Sequence, residues 1–330
     1  MIGLDYLYFA IRRLLQAVLV MFVISLIGFS IQDNLGDPLR ELVGQSVSED
    51  ERQAMRERMG LNDPFLIQYG RFLGNAVQGD LGNSYFFKKP ALEVIAAKFP
   101  ATLELVIGAT IIIITFAVPL GIYCAIRPKS WLARFVMGFS IVGISVPVFL
   151  TAIFSIYIFS VELGWMPSFG RGETSDLLGW NSGFLTVDGL VHLILPSLSL
   201  ASIMMPLFIR LIRSEMMEIL QMEYIRFAWA KGLFPKRIWF LHAFKNTLLP
   251  VITVGGVQVG TMLAYTILTE SVFQWPGMGF LFLEAVNRVD TPLIIAYIIV
   301  VGLIFVVTNT FVDLIYTWVN PTVKLVGQKS

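Results

Sequence analysis

Few side chains in this sequence have the chemistry and the spacing of a catalytic centre. There are two histidines, His192 and His242, and neither has a second histidine or a cysteine at helical spacing. The sequence has no Gly-x-x-x-x-Gly-Lys-Ser/Thr loop to cradle nucleotide phosphates, and the final GQKS lacks both that spacing and a strand before it. We therefore expect no catalytic residue, no metal site and no cofactor in this chain.

The elements that carry these side chains are long and apolar. The 330 residues are 56% hydrophobic and 14% charged with a mean hydropathy of +0.75, which is unlike a soluble domain. A helix needs about 20 apolar residues to cross about 30 Å of hydrocarbon. The runs that meet this need are 14–31, 102–126, 135–161, 190–209, 248–268 and 292–318. We predict an all-α membrane protein with these transmembrane helices, which should tolerate the prolines at Pro119, Pro147, Pro196 and Pro206.

Basic residues in the short connections predict the orientation of these helices. Arg12 and Arg13 precede the first run, and basic residues also fill the connections 127–134 and 210–247, which should be cytoplasmic. The connections after the third and fifth runs are mainly acidic and should be external. We predict a multi-pass membrane protein with both termini in the cytoplasm. The predicted parts are a cytoplasmic N-terminus 1–13, helix 14–31, an external subdomain 32–100, a transmembrane domain 101–318 with a loop at 210–247, and a cytoplasmic C-terminus 319–330.

Ionisable groups in mid-membrane would support ion-driven chemistry, since pumps and intramembrane proteases depend on them. Each such group costs about 2.5 to 3.5 kcal/mol at a helix centre. Glu104 and Asp313 lie near the ends of their apolar runs, and the centres of the runs are almost free of charge. A proton or sodium relay is therefore not expected, and another subunit should supply the energy.

A basic and aromatic stretch, YIRFAWAKGLFPKRIWFLHAFKNTLLP, separates the fourth apolar run from the fifth. Ile225, Ala228, Trp229 and Gly232 recur at i, i+3, i+4 and i+7, which predicts a helix with one narrow face of small and aromatic side chains. Gly232 should end this helix, and Pro235 should begin the next one. The face suits docking into a cleft of a partner. The alternative is a basic surface helix attracted to anionic lipid, at about 1 kcal/mol per basic residue.

Two further stretches predict structure in the external connections. Within 32–100 we expect a surface helix from a cap at Ser48 to Gly60, an amphipathic helix over 64–77, Gly-rich turns in GDLGNS, and Pro100 in the first turn of the second transmembrane helix. The sequence WPGMG predicts a sharp break at the outer end of the fifth helix, suited to a gate or to docking of an external protein. The residues of this second candidate site are Trp275, Pro276, Gly277 and Gly279.

Several motifs, in order along the chain, resemble one family. The general coupling loop of ABC importer permeases reads Glu-Ala-Ala, three residues, Gly, nine residues, Ile-x-Leu-Pro, and only Ala228 and Gly232 match it here. YIRFAWAKGL followed by HAFKNTLLP resembles instead the variant found in dipeptide and oligopeptide permeases. MGLNDPFLIQYGRF, QGDLGNSYFFKKPALEVIAAKFPATLEL, LGWMPSFG, ESVFQWPGMGFLFLEAV and NTFVDLIYTWVNPTVK are also similar to that family, in the subunit with the longer first external loop.

The resemblance implies a non-catalytic permease subunit with the ABC importer permease fold, located in the bacterial cytoplasmic (inner) membrane. Its implied partners are a second homologous permease, two ATP-binding subunits that hold the ATP and Mg, an external or periplasmic solute-binding protein, and membrane lipid, with no nucleic acid. The residues implied to couple the chain to the ATPase are Arg226, Ala228, Trp229, Ala230, Lys231 and Gly232.

Di- or oligopeptides are the substrates that the resemblance implies. Nickel chelates or glutathione are the alternatives within the same family. Two alternatives lie outside this family. One is an ion-driven secondary transporter, and the other is a membrane scaffold or sensor that transports nothing. Neither explains the ordered family motifs.

Overall fold

Apolar helices make up most of the structure, a computed structural model that describes residues 2–31, 49–58, 62–177 and 179–319. In chain order the helices are α1 (Ile2–Ser30), α2 (Glu49–Arg58), α3 (Phe65–Val77), α4 (Ala91–Ile126), α5 (Trp131–Ser145), α6 (Val148–Ser155), α7 (Val187–Ile219), α8 (Glu223–Ala230), α9 (Lys245–Val272), α10 (Met278–Asn287) and α11 (Thr291–Val319). A small hairpin is formed by β1 (Ser175–Leu177) and β2 (Trp180–Ser182). Wider, π-helical turns at Ile156–Glu162 and Ile238–Phe244 extend α6 and lead into α9.

The number of membrane-spanning helices agrees with the sequence prediction when one bent pair is counted as a single span. Among the described residues, the helices long and apolar enough to cross a membrane are Ile11–Ser30, Ala91–Ile126, Val187–Ile219, Pro235–Val272 and Thr291–Val312. The bent pair consists of α5 and of α6 with its extension, which meet at an angle of 111°. The run 135–161, predicted as one span, is therefore bent near Pro147 and is not one straight helix. Val146 is extended at φ −89° and ψ 121°, because the ring of Pro147 disfavours the helical region for the preceding residue.

The other prolines behave differently because the helices continue through them. Pro196 and Pro206 lie inside α7, and Pro119 lies inside α4, as the sequence predicts for helices with neighbours. The expectation that Pro100 lies in the first turn of its helix is wrong. Pro100 lies well inside α4, which begins at Ala91 after an isolated bridge between Asn83 and Pro90.

The chain divides into two compact units, and the first comprises Met1–Pro100 and Pro276–Val307. Within it, the amphipathic helix predicted over 64–77 is confirmed as α3. Its Tyr69 shares a 2.8 Å hydrogen bond with Ser25 of α1, and the Tyr69 ring lies 5.6 Å from that of Phe29. The predicted surface helix is also confirmed, as α2, although Ser48 and Gly60 lie outside the described residues. Residues 32–48 and 320–330, parts of the predicted external subdomain and C-terminus, lie outside them too.

A buried carboxylate fixes the turn before α4 in this unit. Asp290 accepts hydrogen bonds from Ser84 Oγ at 2.5 Å, from the Tyr85 amide at 3.1 Å and from the Phe86 amide at 3.2 Å. Burial, and secondarily the Asp290 charge, raise the pKa of Tyr85 to about 12. The predicted Gly-rich turn precedes it, with Gly82 at φ +89°.

The second unit comprises Ala101–Trp275 and Thr308–Ser330, and small residues set its helix packing. A Cβ on Gly108 would lie 2.4 Å from Ser197 Oγ, and one on Gly121 would lie 2.8 Å from Ile212 Cβ. A side chain at either glycine would push α4 away from α7, so these glycines permit the close approach that stabilises helix pairs in membranes. The ends of this packed pair also contact the first candidate site, described below.

Candidate functional site

The first candidate site is α8, the short helix in the stretch between α7 and α9. Its side chains Ile225 and Ala228 are buried in a cluster with the ends of the neighbouring helices. The remaining buried members of this α8 cluster are Ile122 and Ala125 of α4, Ile212 and Met216 of α7, and Ile238 and Ala243 from the turn before α9. The burial of apolar surface therefore holds α8 against three parts of the second unit.

The end of α8 is built as the sequence predicts. Gly232 has φ +72°, its amide donates to Trp229 O at 2.9 Å, and the Leu233 amide donates to Ala228 O at 3.3 Å. This is the Schellman pattern, in which a left-handed glycine satisfies the last carbonyls of a helix. Pro235 then occupies the first position of the next helical turn. Both predicted helix boundaries are confirmed.

The surface of α8 that stays open is aromatic and basic. Phe227 is 60% exposed and Phe234 is 82% exposed, with Tyr224 and Trp229 about half exposed. Lys231 lies over the Phe227 ring, 4.5 Å from its centroid. Exposed aromatic groups in such number are typical of a surface that a partner covers.

The residues predicted to dock divide between these two faces. Arg226, Trp229, Ala230, Lys231 and Gly232 are exposed, whereas Ala228 is buried with Ile225. The periodicity that singled out Ile225 and Ala228 therefore identifies the face that packs on the chain itself. The surface available to a partner lies on the opposite side of α8.

Polar contacts also join α8 to the start of α9. Asn246 Nδ2 donates to Tyr224 Oη at 2.8 Å and to His242 O at 3.0 Å. The π-helical turn Ile238–Phe244 continues directly into α9. A displacement of α8 would therefore act on α9 through this continuous helical backbone as well as on α4 and α7 through the cluster.

A buried ion pair lies at the opposite end of α7. Glu104 of α4 accepts from Arg171 Nε at 2.9 Å and from the Gly183 amide at 2.9 Å, and its side chain is 1% exposed. Arg171 is 13% exposed and also donates to Asn181 O in the hairpin. Glu104, expected near a helix end, lies inside α4 because that helix starts at Ala91. Its partners are an arginine and an amide, so it is a structural anchor for the hairpin.

The second candidate site, around Trp275, is buried. Trp275 has no exposed surface, and its Nε1 donates to Ala101 O at 2.8 Å. Nearby, Thr102 Oγ1 donates to the buried Glu270 at 2.6 Å. Gly277 and Gly279 are buried and Pro276 is half-buried. The predicted break is present, since α9 ends at Val272 and α10 begins at Met278. Trp275 itself presents no surface to a partner, whereas the neighbouring Gln274 and Phe280 are exposed. Both the gate role and the docking role stay predictions.

Comparison with known families accounts for the arrangement. The family described as binding-protein-dependent transport system inner membrane component matches residues 117–325, and its N-terminal part matches residues 6–106. The chain belongs to this family of inner membrane components. The resemblance seen in the sequence motifs is thereby confirmed, and so are the membrane location and the multi-pass architecture.

Relatives within the family are similar over nearly their whole length. The dipeptide transport system permease protein DppB of Alkalihalophilus pseudofirmus is 39% identical over 96% of this chain and 99% of its own. The oligopeptide transport system permease protein AppB of Bacillus subtilis is 36% identical over 96% and 99%. The glutathione transport system permease protein GsiC of Escherichia coli K12 is 33% identical over 96% and 98%.

A solved structure supports the fold of this family member. The methionine ABC transporter MetNI, in an inward-facing conformation, is similar with a TM-score of 0.53 and 15% identity, and the match covers 69% of this chain and 97% of that one. At this identity the likeness concerns the fold alone. The predicted ABC importer permease fold is confirmed.

Proposed function

We propose that this chain is the permease subunit of an ATP-binding-cassette importer for di- or oligopeptides and forms half of the translocation pathway. The observation that carries the proposal is the similarity, over 96% of the chain, to permeases named for dipeptide and oligopeptide transport. Glutathione is the second candidate substrate, favoured by the relative named for it. Dipeptides, oligopeptides and glutathione are all peptide-like compounds.

Membership of this family supports the assembly that we propose. A second homologous permease completes the pathway, two ATP-binding subunits hold ATP and Mg and carry out hydrolysis, and an external solute-binding protein delivers the cargo. Both termini and α8 face the cytoplasm in this proposal, as the placement of basic residues favours. The segment 32–100 then lies outside, where it caps the mouth of the pathway or meets the binding protein.

Coupling to the ATPase occurs in this proposal through the open face of α8. Arg226, Trp229, Lys231 and the exposed Phe227 contact the ATP-binding subunit, and Gly232 lets the chain turn sharply beneath it. Movement of the ATPase then reaches α4, α7 and α9 through the buried cluster. Moving a two-state equilibrium from 1:99 to 99:1 needs about 5.5 kcal/mol, which differential binding of nucleotide to the two states would supply.

The first test is transport by the reconstituted assembly. Vesicles that contain this chain with its partner permease, ATP-binding subunits and binding protein should accumulate labelled dipeptide when ATP is present, with glutathione taken up more slowly. Vesicles with this chain alone should accumulate nothing. ATP-independent accumulation by the single chain would overturn the proposal, and faster uptake of glutathione than of dipeptide would select the second substrate.

The second test concerns coupling and uses Gly232. Open space surrounds this position, but its left-handed backbone costs an ordinary residue about 1 to 2 kcal/mol. Gly232→Trp places bulk at the end of the open face, whereas Gly232→Asn tolerates the backbone and adds little bulk. We expect Gly232→Trp to insert and assemble normally but to lose ATP-driven uptake, with Gly232→Asn near wild type. Unchanged uptake by the Trp variant would show that this surface does not transmit movement.

A further inference from the structure

A groove of about 690 Å³ opens between the end of α4 and the helical turn that precedes α9. Its floor is apolar and aromatic, with Ile122 and Tyr123 on one side and Trp239 and Phe240 on the other. Phe240 is half-exposed and Tyr123 and Trp239 are partly exposed. The groove therefore presents apolar surface that nothing in the described part of the chain covers.

Two cations line the same groove. Arg127 follows the last residue of α4, and Lys236 lies in the first turn after Phe234. Both are exposed, and neither forms an ion pair with a described residue. Except for Tyr123 and Trp239, whose rings carry one polar group each, the other lining residues are hydrocarbon. The groove thus joins a pair of positive charges to an apolar channel.

The position of the groove along the helices matches the membrane surface. Arg127 marks the point where the apolar helix α4 ends, and Tyr123 and Trp239 are of the residue types that collect at the level of lipid headgroups. Lys and Arg at such a level bind phosphate, and basic pockets between membrane helices bind anionic lipid headgroups. The apolar floor leads from there toward the hydrocarbon.

We infer that this groove binds one anionic phospholipid. Its phosphate lies between Arg127 and Lys236, and one acyl chain lies along Ile122 and Phe240. A phospholipid supplies both a negative charge and a hydrocarbon chain, which is the complement of this lining.

Lipid at this place would act on coupling. Ile122 lines the groove and also belongs to the buried cluster that holds Ile225 and Ala228 of α8. Phe244 likewise lines the groove and packs against that cluster. An acyl chain packed on Ile122 would therefore restrict how far α8 moves against α4.

The test measures lipid binding to the full chain in detergent by native mass spectrometry, with phosphatidylglycerol as the probe. The double variant Arg127→Gln with Lys236→Gln removes the two groove cations. Its control is Lys129→Gln with Arg237→Gln, which removes the same charge from two exposed neighbours outside the groove. We expect about 30-fold weaker binding in the groove variant, from two basic residues at about 1 kcal/mol each, and little change in the control.

Further measurements distinguish a specific lipid site from general charge attraction and from a protein contact. Thermal unfolding of both variants should be unchanged, because all four substituted side chains are exposed. Phosphatidylcholine and short-chain phosphatidylglycerol should bind more weakly than long-chain phosphatidylglycerol to the wild type. If both double variants lost the same affinity for phosphatidylglycerol, general attraction between basic residues and anionic lipid would explain the binding. That result would overturn the proposed site. Displacement of lipid by inorganic phosphate, or equal binding of short and long chains, would overturn the acyl-chain part. Absence of lipid from the assembled importer, with Phe240 crosslinking to a partner subunit, would assign the groove to a protein.

Discussion

The buried pair of Glu104 and Arg171 gives the sharpest prediction about stability. Arg171→Met would leave the Glu104 carboxylate, which is 1% exposed, with the Gly183 amide as its hydrogen-bond partner. Removing one member of a buried ion pair costs about 3 to 5 kcal/mol, because the remaining charge has lost its compensation. Since Arg171 is itself 13% exposed, we expect the lower value, about 3 kcal/mol. This corresponds to a change of about 150-fold in the unfolding equilibrium.

The matched control removes both charges. In Glu104→Met with Arg171→Met, no buried charge is left, and the groups that lose a partner are the Gly183 amide and the Asn181 carbonyl. Such a replacement of a whole buried pair is often close to neutral. The double variant should therefore be more stable than Arg171→Met alone, by about 2 kcal/mol once the lost hydrogen bonds are included. With Glu104→Met measured as well, the three variants give the coupling energy of the pair, which would be near zero for two independent sites.

The assay is denaturant unfolding of the full chain in detergent, with limited chymotrypsin digestion as a local readout. Phe169 and Leu185 flank the anchored hairpin and are about half exposed, so release of the hairpin should speed cleavage there. Arg171→Met should unfold at lower denaturant and be cut faster than the double variant. Equal stability of the single and double variants would refute the reasoning, because it would mean that the lone Glu104 charge is not destabilised by its burial.

Two further predictions concern other positions. A Cβ at Gly256 of α9 would lie 1.8 Å from Val312 Cγ2. Gly256→Ala should therefore lower the thermal unfolding midpoint, because the overlap costs about 1 to 3 kcal/mol of stability. The control is Gly138→Ala in α5, which has open space around it and should be neutral or slightly stabilising. An equal effect at both glycines would contradict the close packing. The second concerns Tyr85, whose folded pKa is about 12 against an ordinary value of about 10. The Tyr85 hydroxyl loses its proton at a lower pH in the unfolded chain than in the folded chain. Its contribution to the free energy of unfolding is therefore full below about pH 10 and is lost as the pH rises to about 12. The tyrosinate absorbance of wild type minus Tyr85→Phe should show this late titration, and a midpoint near 10 would contradict the burial next to Asp290.

Much of the fold could be predicted from composition because the bilayer imposes it. Apolar runs of sufficient length must become helices, and the family motifs add the order of the parts. The prolines show the limit of this reasoning. Helix α7 continues through Pro196 and Pro206, whereas α5 and α6 meet near Pro147 at an angle of 111°. The local sequence around these prolines does not predict which of them interrupts a helix. The neighbours that satisfy the freed carbonyls decide the outcome, and they are known only from the structure.

The candidate site is predictable in part for a related reason. Helical periodicity identifies α8 and both of its boundaries, because Gly232 and Pro235 act through local backbone chemistry. Periodicity does not say whether Ile225 and Ala228 face a partner or the chain itself. In the sequence, Arg171 is one charge in an acidic connection, and its pairing with the distant Glu104 has no signal in a single sequence. Lys236 and Arg127 indicate orientation, and their shared groove appears only when α4 and the turn before α9 are brought together.

The length of α7 has a mechanical consequence. Its residues Val187–Ile219 span about 50 Å, some 20 Å more than the hydrocarbon thickness, so the helix extends well beyond the bilayer core. Thr186, at its first end, joins it to the hairpin held by Arg171, and Met216, near its last, lies in the cluster under α8. A rigid rod of that length, tilted by about 5° about one end, moves the other by about 4 Å. In the proposed importer, a small rotation about the end of α7 near α8 would thus displace the end next to the hairpin by several ångströms.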